Sequence, residues 1–225
     1  MSNVIDVYGQ YATGYFKGFF KQEILEEYIA IRKAFPELNF HTIARIKSMD
    51  ATLEKASRKG IENIYDIHGI KHIIIDLNGK DDESLLINYC YKLENFLHIY
   101  YGANSINVIS ERRKDYIANP KSTNYQAIHM SSQDSKNGRK FETQIKTDKM
   151  EKVARFGSAS HSNIYKPRVV GKTPLAKLPI YLPVVIFEDD RPIVYELPKE
   201  LAFQYFYGVP YESIYPNSDA KNHTL

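Results

Sequence analysis

Two β-prone runs between Arg112 and Lys146 carry side chains of several reactive types at alternating positions. They are joined by Asp134-Ser135-Lys136-Asn137-Gly138, where Asn137-Gly138 predicts a hairpin because it supplies a positive φ. Side chains alternate along a strand, so each run places every second residue on one face. The two triplets that should share that face are Tyr125, Ala127 and His129, and Glu142, Gln144 and Lys146.

This face would present an aromatic ring, an imidazole, a carboxylate, an amide and an ammonium, and it is too polar for a core. A carboxylate can accept a proton, and a ring can stack a base. Basic residues that could hold phosphate adjoin it, namely Arg112, Arg113 and Lys114. The alternative is a half-solvated hairpin with ordinary surface charges, because antiparallel sheets often present one wet face.

Charged residues upstream could complete such a site. Asp66 leads into an apolar strand, where a carboxylate is costly to bury unless it is paired or binds metal. The alternatives for Asp66 are an N-cap and a salt bridge with Lys71. Arg45 and Lys47 lie two positions apart, so they project together from an extended strand, either towards phosphates or towards solvent.

These residues lie in segments that resemble the signature of the RelA/SpoT synthetase domain. In chain order the segments are RIKSMDATLEKA, IYDIHGIKHII, RRKDYIANPKSTNYQAIH, FETQIKT and KMEKVARFGSASHSNIYK. The likeness runs from about Phe40 to Lys166. It implies transfer of the β,γ-pyrophosphate of ATP to a ribose 3′-hydroxyl, with Mg²⁺ as cofactor.

The resemblance implies a role for each matching residue. Asp66 and Glu142 would hold Mg²⁺, and Glu142 would also accept the hydroxyl proton. The residues that would contact ATP and its phosphates are Arg45, Lys47, Lys71, Arg112 and Lys114. The residues that would contact the acceptor are Tyr125, by stacking, and Lys121, His129 and Gln144. Lys71 stands where the family often has arginine, so it keeps the charge but loses the bidentate fork.

The acceptor is GDP or GTP in one branch of small synthetases that this sequence resembles, giving (p)ppGpp. In toxic small synthetases it is the 3′ end of tRNA or an adenine nucleotide. The usual Asn-Gly before the stacking tyrosine is Thr123-Asn124 here. The amino-terminal region is locally basic, either as a solvated helix face or as a docking surface for a nucleic acid backbone. The basic residues concerned are Lys17, Lys21, Arg32 and Lys33.

These departures predict tRNA as the acceptor, inhibition of translation as a toxin, and a separately encoded antitoxin as partner. Synthesis of (p)ppGpp from GDP or GTP is the alternative. A third hypothesis is a catalytically silent nucleotide-binding module. Asp66 and Glu142 argue against that module, because a binder needs neither a metal site nor a proton acceptor.

Composition sets wider limits. At 225 residues the chain can bury a full core, either as one domain or as one domain with a terminal appendage. With 43% hydrophobic residues, no apolar run near bilayer length and no secretion signal, it is predicted to be cytoplasmic, without a membrane partner. The lone Cys90 fits an apolar helical pattern and is interpreted as a core residue.

The pattern predicts an α/β fold of the nucleotidyltransferase kind, with a mixed, mainly antiparallel sheet covered by helices. The expected parts are an N-terminal helical region at 1–38, a synthetase core at 39–167 and a small C-terminal hairpin-plus-helix addition at 168–225. Predicted helices cover 22–35, 49–59 and 82–101, with one more starting near Met150 and a short one at 198–207. Predicted strands cover 40–47, 72–75 and 106–110, the central hairpin, and a second hairpin at 181–187 and 192–197.

Overall fold

A computed structural model describes residues 19–47, 49–76, 82–156, 181–188 and 191–198. The helices are α1 (Phe19–Ala34), α2 (Met49–Lys59), α3 (Glu83–Ala103) and α4 (Asp148–Phe156). The strands are β1 (Phe40–Ile46), β2 (His68–Ile74), β3 (Ile106–Val108), β4 (Lys114–Asp115), β5 (Ile128–Asp134), β6 (Lys140–Thr147), β7 (Tyr181–Glu188) and β8 (Arg191–Pro198). None of the helices in these ranges is long and apolar enough to cross a bilayer.

The strands form one mixed sheet in the order β3-β5-β6-β2-β1-β7-β8, with β4 also paired to β5. Strands β2 and β6 run parallel, with Gly69 opposite Glu142 and Lys71 opposite Gln144. The remaining pairs among the described strands are antiparallel. The predicted mixed, mainly antiparallel sheet with helices is confirmed.

One face of the sheet packs against helices α1 and α3. The core residues of α3 recur every three or four positions, as its apolar stripe predicted, and include Leu86, Cys90, Leu93, Leu97 and Tyr101. They meet alternate sheet residues such as Ile70 and Phe141. Cys90 is fully buried, which confirms it as a core residue. Each such buried leucine contributes about 2 kcal/mol of hydrophobic stabilisation.

Several polar groups within this helix-covered face are paired with one another. His72 Nε2 lies 2.7 Å from a Glu27 carboxylate oxygen, and His72 Nδ1 lies 2.9 Å from the Thr42 hydroxyl. The Tyr101 hydroxyl is 2.8 Å from that of Thr143. These bonds satisfy groups whose burial would otherwise destabilise the fold, and they leave the opposite face to carry the chemistry.

The central hairpin turns at Gly138, whose φ of 72° confirms the positive φ predicted for Asn137-Gly138. The first hairpin strand begins at Ile128, so Tyr125 and Ala127 lie in the loop before it. Asp134 closes the turn by accepting the amide of Gly138 on its carbonyl and that of Lys136 on its carboxylate.

Two predicted strands were wrong in detail. The buried strand expected at 106–110 is the short edge strand β3, whose residues are half-buried or exposed, because it pairs with β5 alone among the described strands. Strand β2 begins at His68, four residues before the predicted start. Its parallel pairing with β6 extends it through Gly69, which a propensity rule places in a turn.

The carboxy-terminal hairpin of β7 and β8 was predicted, and it joins the edge of the same sheet through Ile43 and Val184. Other predictions lie outside the described residues. They are the cap at Ser48, the helix at 198–207 beyond its first residue Pro198, which ends β8, and the aromatic residues Tyr207, Tyr211 and Tyr215.

Candidate active site

The face of the sheet opposite α1 and α3 gathers the predicted chemical groups. Strand register places Lys114, His129, Gln144 and Lys71 side by side in one row across β4, β5, β6 and β2. The adjoining row runs through Ser131, Glu142, Gly69 and Arg45. We call this surface the site face. It confirms that His129, Glu142, Gln144 and Lys146 share one side, as alternation predicted.

Asp66, just before β2, is held by two ammonium groups. Lys47 Nζ lies 3.1 Å from one carboxylate oxygen, and Lys55 Nζ donates to the other at 2.7 Å. Burial is the largest influence on the pKa of Asp66 and would raise it, but the charges of Lys47 and Lys55 bring it below its ordinary value. The nearby Glu142 charge opposes this effect, which places the two carboxylates within electrostatic range.

Lys55 was not among the predicted site residues. It lies on α2 inside a segment that already resembled the family signature, and its place in that segment could have identified it. The salt bridge expected as the alternative for Asp66, with Lys71, is not formed. Lys47 and Lys55 take that place.

Glu142 is held by hydrogen bonds from neighbours on the hairpin. His129 Nδ1 lies 3.2 Å from its Oε1, and Gln144 Nε2 donates to the same oxygen at 2.9 Å. Burial, the largest influence, would raise the pKa of Glu142, but His129, Gln144 and the charge of Lys114 lower it to about 2. The carboxylate is therefore ionised across the physiological pH range.

His129 connects Glu142 to Tyr125. Burial is the largest influence on the pKa of His129 and lowers it below its ordinary value, so the ring is neutral near pH 7. The hydrogen-bond pattern assigns its proton to Nδ1, facing Glu142. Nε2 then accepts from the Tyr125 hydroxyl, 2.8 Å away. Three predicted site residues thus form one hydrogen-bonded chain.

The Tyr125 ring is half-buried at the border of this face and not packed in the core. Tyr116 meets it edge-on at 5.9 Å, and the ammonium groups of Lys121 and Lys146 lie 4.9 and 4.8 Å from its centroid. Partial burial is the largest influence on the pKa of Lys121 and lowers it, as does the nearby charge of Lys114. Tyr116 was not predicted as part of the site, because a tyrosine in a turn has no distinguishing sequence signal.

Lys146 departs from its expected setting, and it shares the partner Glu151 with Lys71. Lys146 was predicted on an exposed polar surface, but it is 1% exposed, with Nζ 3.2 Å from Glu151 Oε2. Lys71 lies on the site face as expected, with its ammonium 2.7 Å from Glu151 Oε1. The exposed-ammonium prediction was wrong because α4 packs beside β6 and brings Glu151 over this end of the strand.

The basic residues Arg112, Arg113 and Lys114 have different surroundings. Arg112 lies 4.5 Å from the Tyr65 ring centroid and donates to the backbone and side-chain oxygens of Asn63 at 3.4 Å. Lys114 is exposed beside His129. Arg113 instead forms a two-bond contact with Glu94 on α3, at 2.6 and 2.9 Å, which anchors the loop to the helix.

Replacing Arg113 by alanine should lower the free energy of unfolding by about 1 to 2 kcal/mol, because Glu94 is 4% exposed and would lose its charged partner. The effect is smaller than for a fully buried pair because the guanidinium is partly solvated. Urea denaturation measures it. The matched variant Arg112→Ala should change stability by less than about 0.5 kcal/mol. Equal losses for both arginines would contradict this division of roles.

Several predicted residues cannot be placed in the site. Lys17 lies outside the described residues, and of Lys21 and Arg45 the structure describes only the backbone positions, in α1 and β1. Arg32 donates to the Leu38 carbonyl at 2.7 Å, which ties it to the fold, whereas Lys33 is exposed. The predicted nucleic acid surface at this end therefore stays a prediction.

The described carboxylates fit a magnesium ion held jointly with substrate. Mg²⁺ is usually bound by one or two carboxylates together with substrate phosphates. Asp66 and Glu142 have lowered pKa values and lie within electrostatic range of each other. Among the described residues there is no group of three or more histidine, cysteine, aspartate or glutamate side chains that could hold a metal by themselves.

The mixed sheet, with helices α1 and α3 on one face and the two carboxylates among lysines on the other, defines an α/β protein with a polar site beside strands β2 and β6. The chain belongs to the RelA/SpoT family, because the family described as "Region found in RelA / SpoT proteins" matches residues 44–169. That match includes Asp66, Glu142 and the residues described above as contacting them.

Relatives carry two kinds of name. A guanosine-3′,5′-bis(diphosphate) 3′-pyrophosphohydrolase from Spiroplasma citri is 33% identical over 137 residues, 61% of this chain and 16% of that protein. A GTP pyrophosphokinase from Brucella ovis is 30% identical over 133 residues, 58% of this chain and 16% of that protein. This chain therefore corresponds to about a sixth of the length of these relatives.

A solved structure shows the same fold. It is that of small alarmone synthetase 1 from Bacillus subtilis bound to its product pppGpp, with 21% sequence identity and a TM-score of 0.50. The alignment covers 72% of this chain and 83% of that one.

Proposed function

We propose that this chain transfers the β,γ-pyrophosphate of ATP to the 3′-hydroxyl of a ribose whose base stacks on Tyr125. The observation that carries the proposal is the site face itself. Two ionised carboxylates, Asp66 and Glu142, lie within electrostatic range, and hydrogen bonds link Glu142 through His129 to Tyr125. Family membership supports the same reaction class, since relatives include a GTP pyrophosphokinase.

On this proposal the donor side of the site neutralises phosphate. Phosphoryl transfer needs positive charge and positioning more than covalent chemistry from the protein. Lys47 and Lys55, which now bind Asp66, lie where ATP phosphates would compete for their ammonium groups. Arg112 and Lys114 add positive charge beside strand β5. Arg45 lies on β1, the strand between β2 and β7 in the sheet. Mg²⁺ held by Asp66 and Glu142 would supply charge neutralisation at the transferred phosphates.

Two roles are proposed for Glu142, cation binding and proton acceptance, and its pKa favours the first. A pKa of about 2 favours binding of a cation, because the carboxylate is always ionised. The same value makes Glu142 a weak base near pH 7, since general bases work best with a pKa near the working pH. Ligation of the cation is therefore its principal role in this proposal, with proton acceptance from the acceptor hydroxyl secondary.

The acceptor side consists of Tyr125, Lys121, His129 and Gln144. Base stacking on a tyrosine is worth roughly 1 to 3 kcal/mol. Thr123-Asn124 stands where the family usually has Asn-Gly. This change adds little backbone strain, because Asn124 has φ 60° and asparagine tolerates this left-handed region. That departure therefore does not distinguish a tRNA acceptor from a guanine nucleotide, and the basic amino-terminal region remains the argument for tRNA.

We propose the 3′ end of tRNA as the acceptor, with GDP or GTP as the second candidate. The second candidate is favoured by the relative named GTP pyrophosphokinase. A role as a translation-inhibiting toxin with a separate antitoxin depends on the first. A catalytically silent binding module is the remaining alternative, and it predicts no product with any acceptor.

Incubation with ATP labelled in the γ-phosphate tests the acceptor directly. Bulk tRNA, GDP and GTP are supplied singly and together, and we expect label in the tRNA. Periodate-oxidised tRNA, which lacks the terminal 3′-hydroxyl, is the matched control and should stay unlabelled. Label in guanine nucleotides alone would reject the tRNA acceptor, and no labelled product with any acceptor would reject pyrophosphate transfer.

A further inference from the structure

Lys146 is a charged side chain in an almost fully buried position, with 1% exposure. Burying an ammonium costs several kcal/mol unless charges and hydrogen bonds compensate, and an apolar residue would often fill the space at lower cost. Its Nζ lies 3.2 Å from Glu151 Oε2 and donates to the Tyr125 hydroxyl at 3.4 Å. The costly charge is thus in contact with the ring proposed to bind the acceptor.

Glu151 contacts one lysine on the proposed ATP side of the site and one on the proposed acceptor side. It is 1% exposed in the first turn of α4, and its other oxygen accepts from Lys71 Nζ at 2.7 Å. Lys71 is on β2 and is predicted to contact ATP phosphates, whereas Lys146 is on β6 and contacts Tyr125. One carboxylate therefore connects a donor-side lysine to an acceptor-side ring.

The orientation of the Tyr125 ring depends on its hydroxyl. That hydroxyl is held between His129 Nε2 at 2.8 Å and Lys146 Nζ at 3.4 Å. Lys146 also lies 4.8 Å from the ring centroid, close enough for a cation–π contact. A stacking platform contributes its full energy only when its face is held in a fixed orientation.

We propose that Lys146 is a positioning residue, which holds the Tyr125 ring in the orientation that stacks the acceptor base, with Glu151 as its anchor and as the link to Lys71. This inference rests on the proposed function, because only acceptor stacking makes the ring orientation matter for the reaction. Lys146 is not a proton acceptor in this scheme. Burial would lower its pKa, but the charges of Glu151 and Tyr125 raise it overall, so the ammonium stays protonated.

Steady-state kinetics with each substrate varied separately tests the kinetic consequence. Lys146→Met should raise the KM for the acceptor about tenfold or more, in the range expected for a weakened base stack, and change the KM for ATP by less than about twofold. Lys146→Arg keeps a charged donor and should recover most of the loss. The control Tyr101→Phe removes a buried hydrogen bond from the opposite face of β6, and should leave both KM values unchanged.

A spectroscopic readout tests the positioning without relying on activity. In protein labelled with ¹³C at the tyrosine ring ζ carbon, the resonance lost in Tyr125→Phe identifies Tyr125. That resonance should move in Lys146→Met and stay in place in Tyr101→Phe. If Lys146→Met does not fold, the double variant Lys146→Met/Glu151→Gln, which removes both buried charges, is used instead. Its Tyr125 resonance is compared with that of Tyr101→Phe in the same way.

The two readouts separate the possible failures. An unmoved Tyr125 resonance, or equal rises in KM for ATP and acceptor, would overturn the positioning role. A wild-type protein that forms no product would overturn the proposed function, and the resonance would still test the contact between Lys146 and Tyr125 on which the inference depends.

Discussion

Glu142→Gln should reduce pyrophosphate transfer by at least about a thousandfold, equivalent to roughly 4 kcal/mol of transition-state stabilisation. The substitution keeps the size of the side chain and its hydrogen-bonding partners, but it removes the charge that would bind Mg²⁺. The pKa of about 2 means that this charge is present at every pH used in an assay. Product formation from labelled ATP measures the effect, together with thermal unfolding to confirm the fold.

The matched control is Glu111→Gln, an exposed glutamate next to Arg112 and just before the signature segment that begins there. It removes the same charge from the surface and should keep activity within about twofold of wild type. If Glu142→Gln retained a tenth or more of the wild-type rate, neither cation binding nor proton acceptance by this residue could be central to the reaction.

The placement of these groups shows what a sequence can and cannot predict. Alternation along β5 and β6 correctly predicted that His129, Glu142 and Gln144 share a face, because the period of a strand is local. The apolar stripe of α3 likewise predicted a helix against the sheet. Both inferences need only the nearest ten residues or so.

The errors concern contacts between side chains on different secondary-structure elements. Lys146 was placed at the surface because its partner Glu151 lies on the following helix, and only the packing of α4 brings the two together. Lys55 was missed because its partner Asp66 follows after a helix end and a turn. A charged residue is predicted to be exposed unless its partner is known, and the partner is a property of the fold.

The roles of Arg112 and Arg113 illustrate the same limit. Both precede Lys114 in a basic run, and the sequence does not distinguish them. The structure turns Arg113 towards Glu94 on α3 and Arg112 towards Tyr65, next to Asp66. One arginine therefore stabilises the loop, and the other remains near the proposed phosphates.

Asp66→Asn should reduce product formation by roughly a hundredfold or more, because it removes one of the two proposed Mg²⁺ ligands and the anion that holds Lys47 and Lys55. We expect a smaller loss than for Glu142→Gln, since the asparagine oxygen can still bind a cation weakly. Titration with MgCl₂ at fixed ATP measures it, and the rate should recover partly at high Mg²⁺.

The matched control for this substitution is Glu54→Gln, an exposed carboxylate on α2 that pairs with Arg58 at 3.5 Å. It should leave both the rate and its dependence on Mg²⁺ unchanged, because surface ion pairs of this kind contribute little. If Asp66→Asn shifted the KM for ATP alone, with the same response to Mg²⁺ as wild type, then Asp66 would act only by orienting Lys47 and Lys55. The cation would in that case be held by Glu142 and the phosphates, without Asp66.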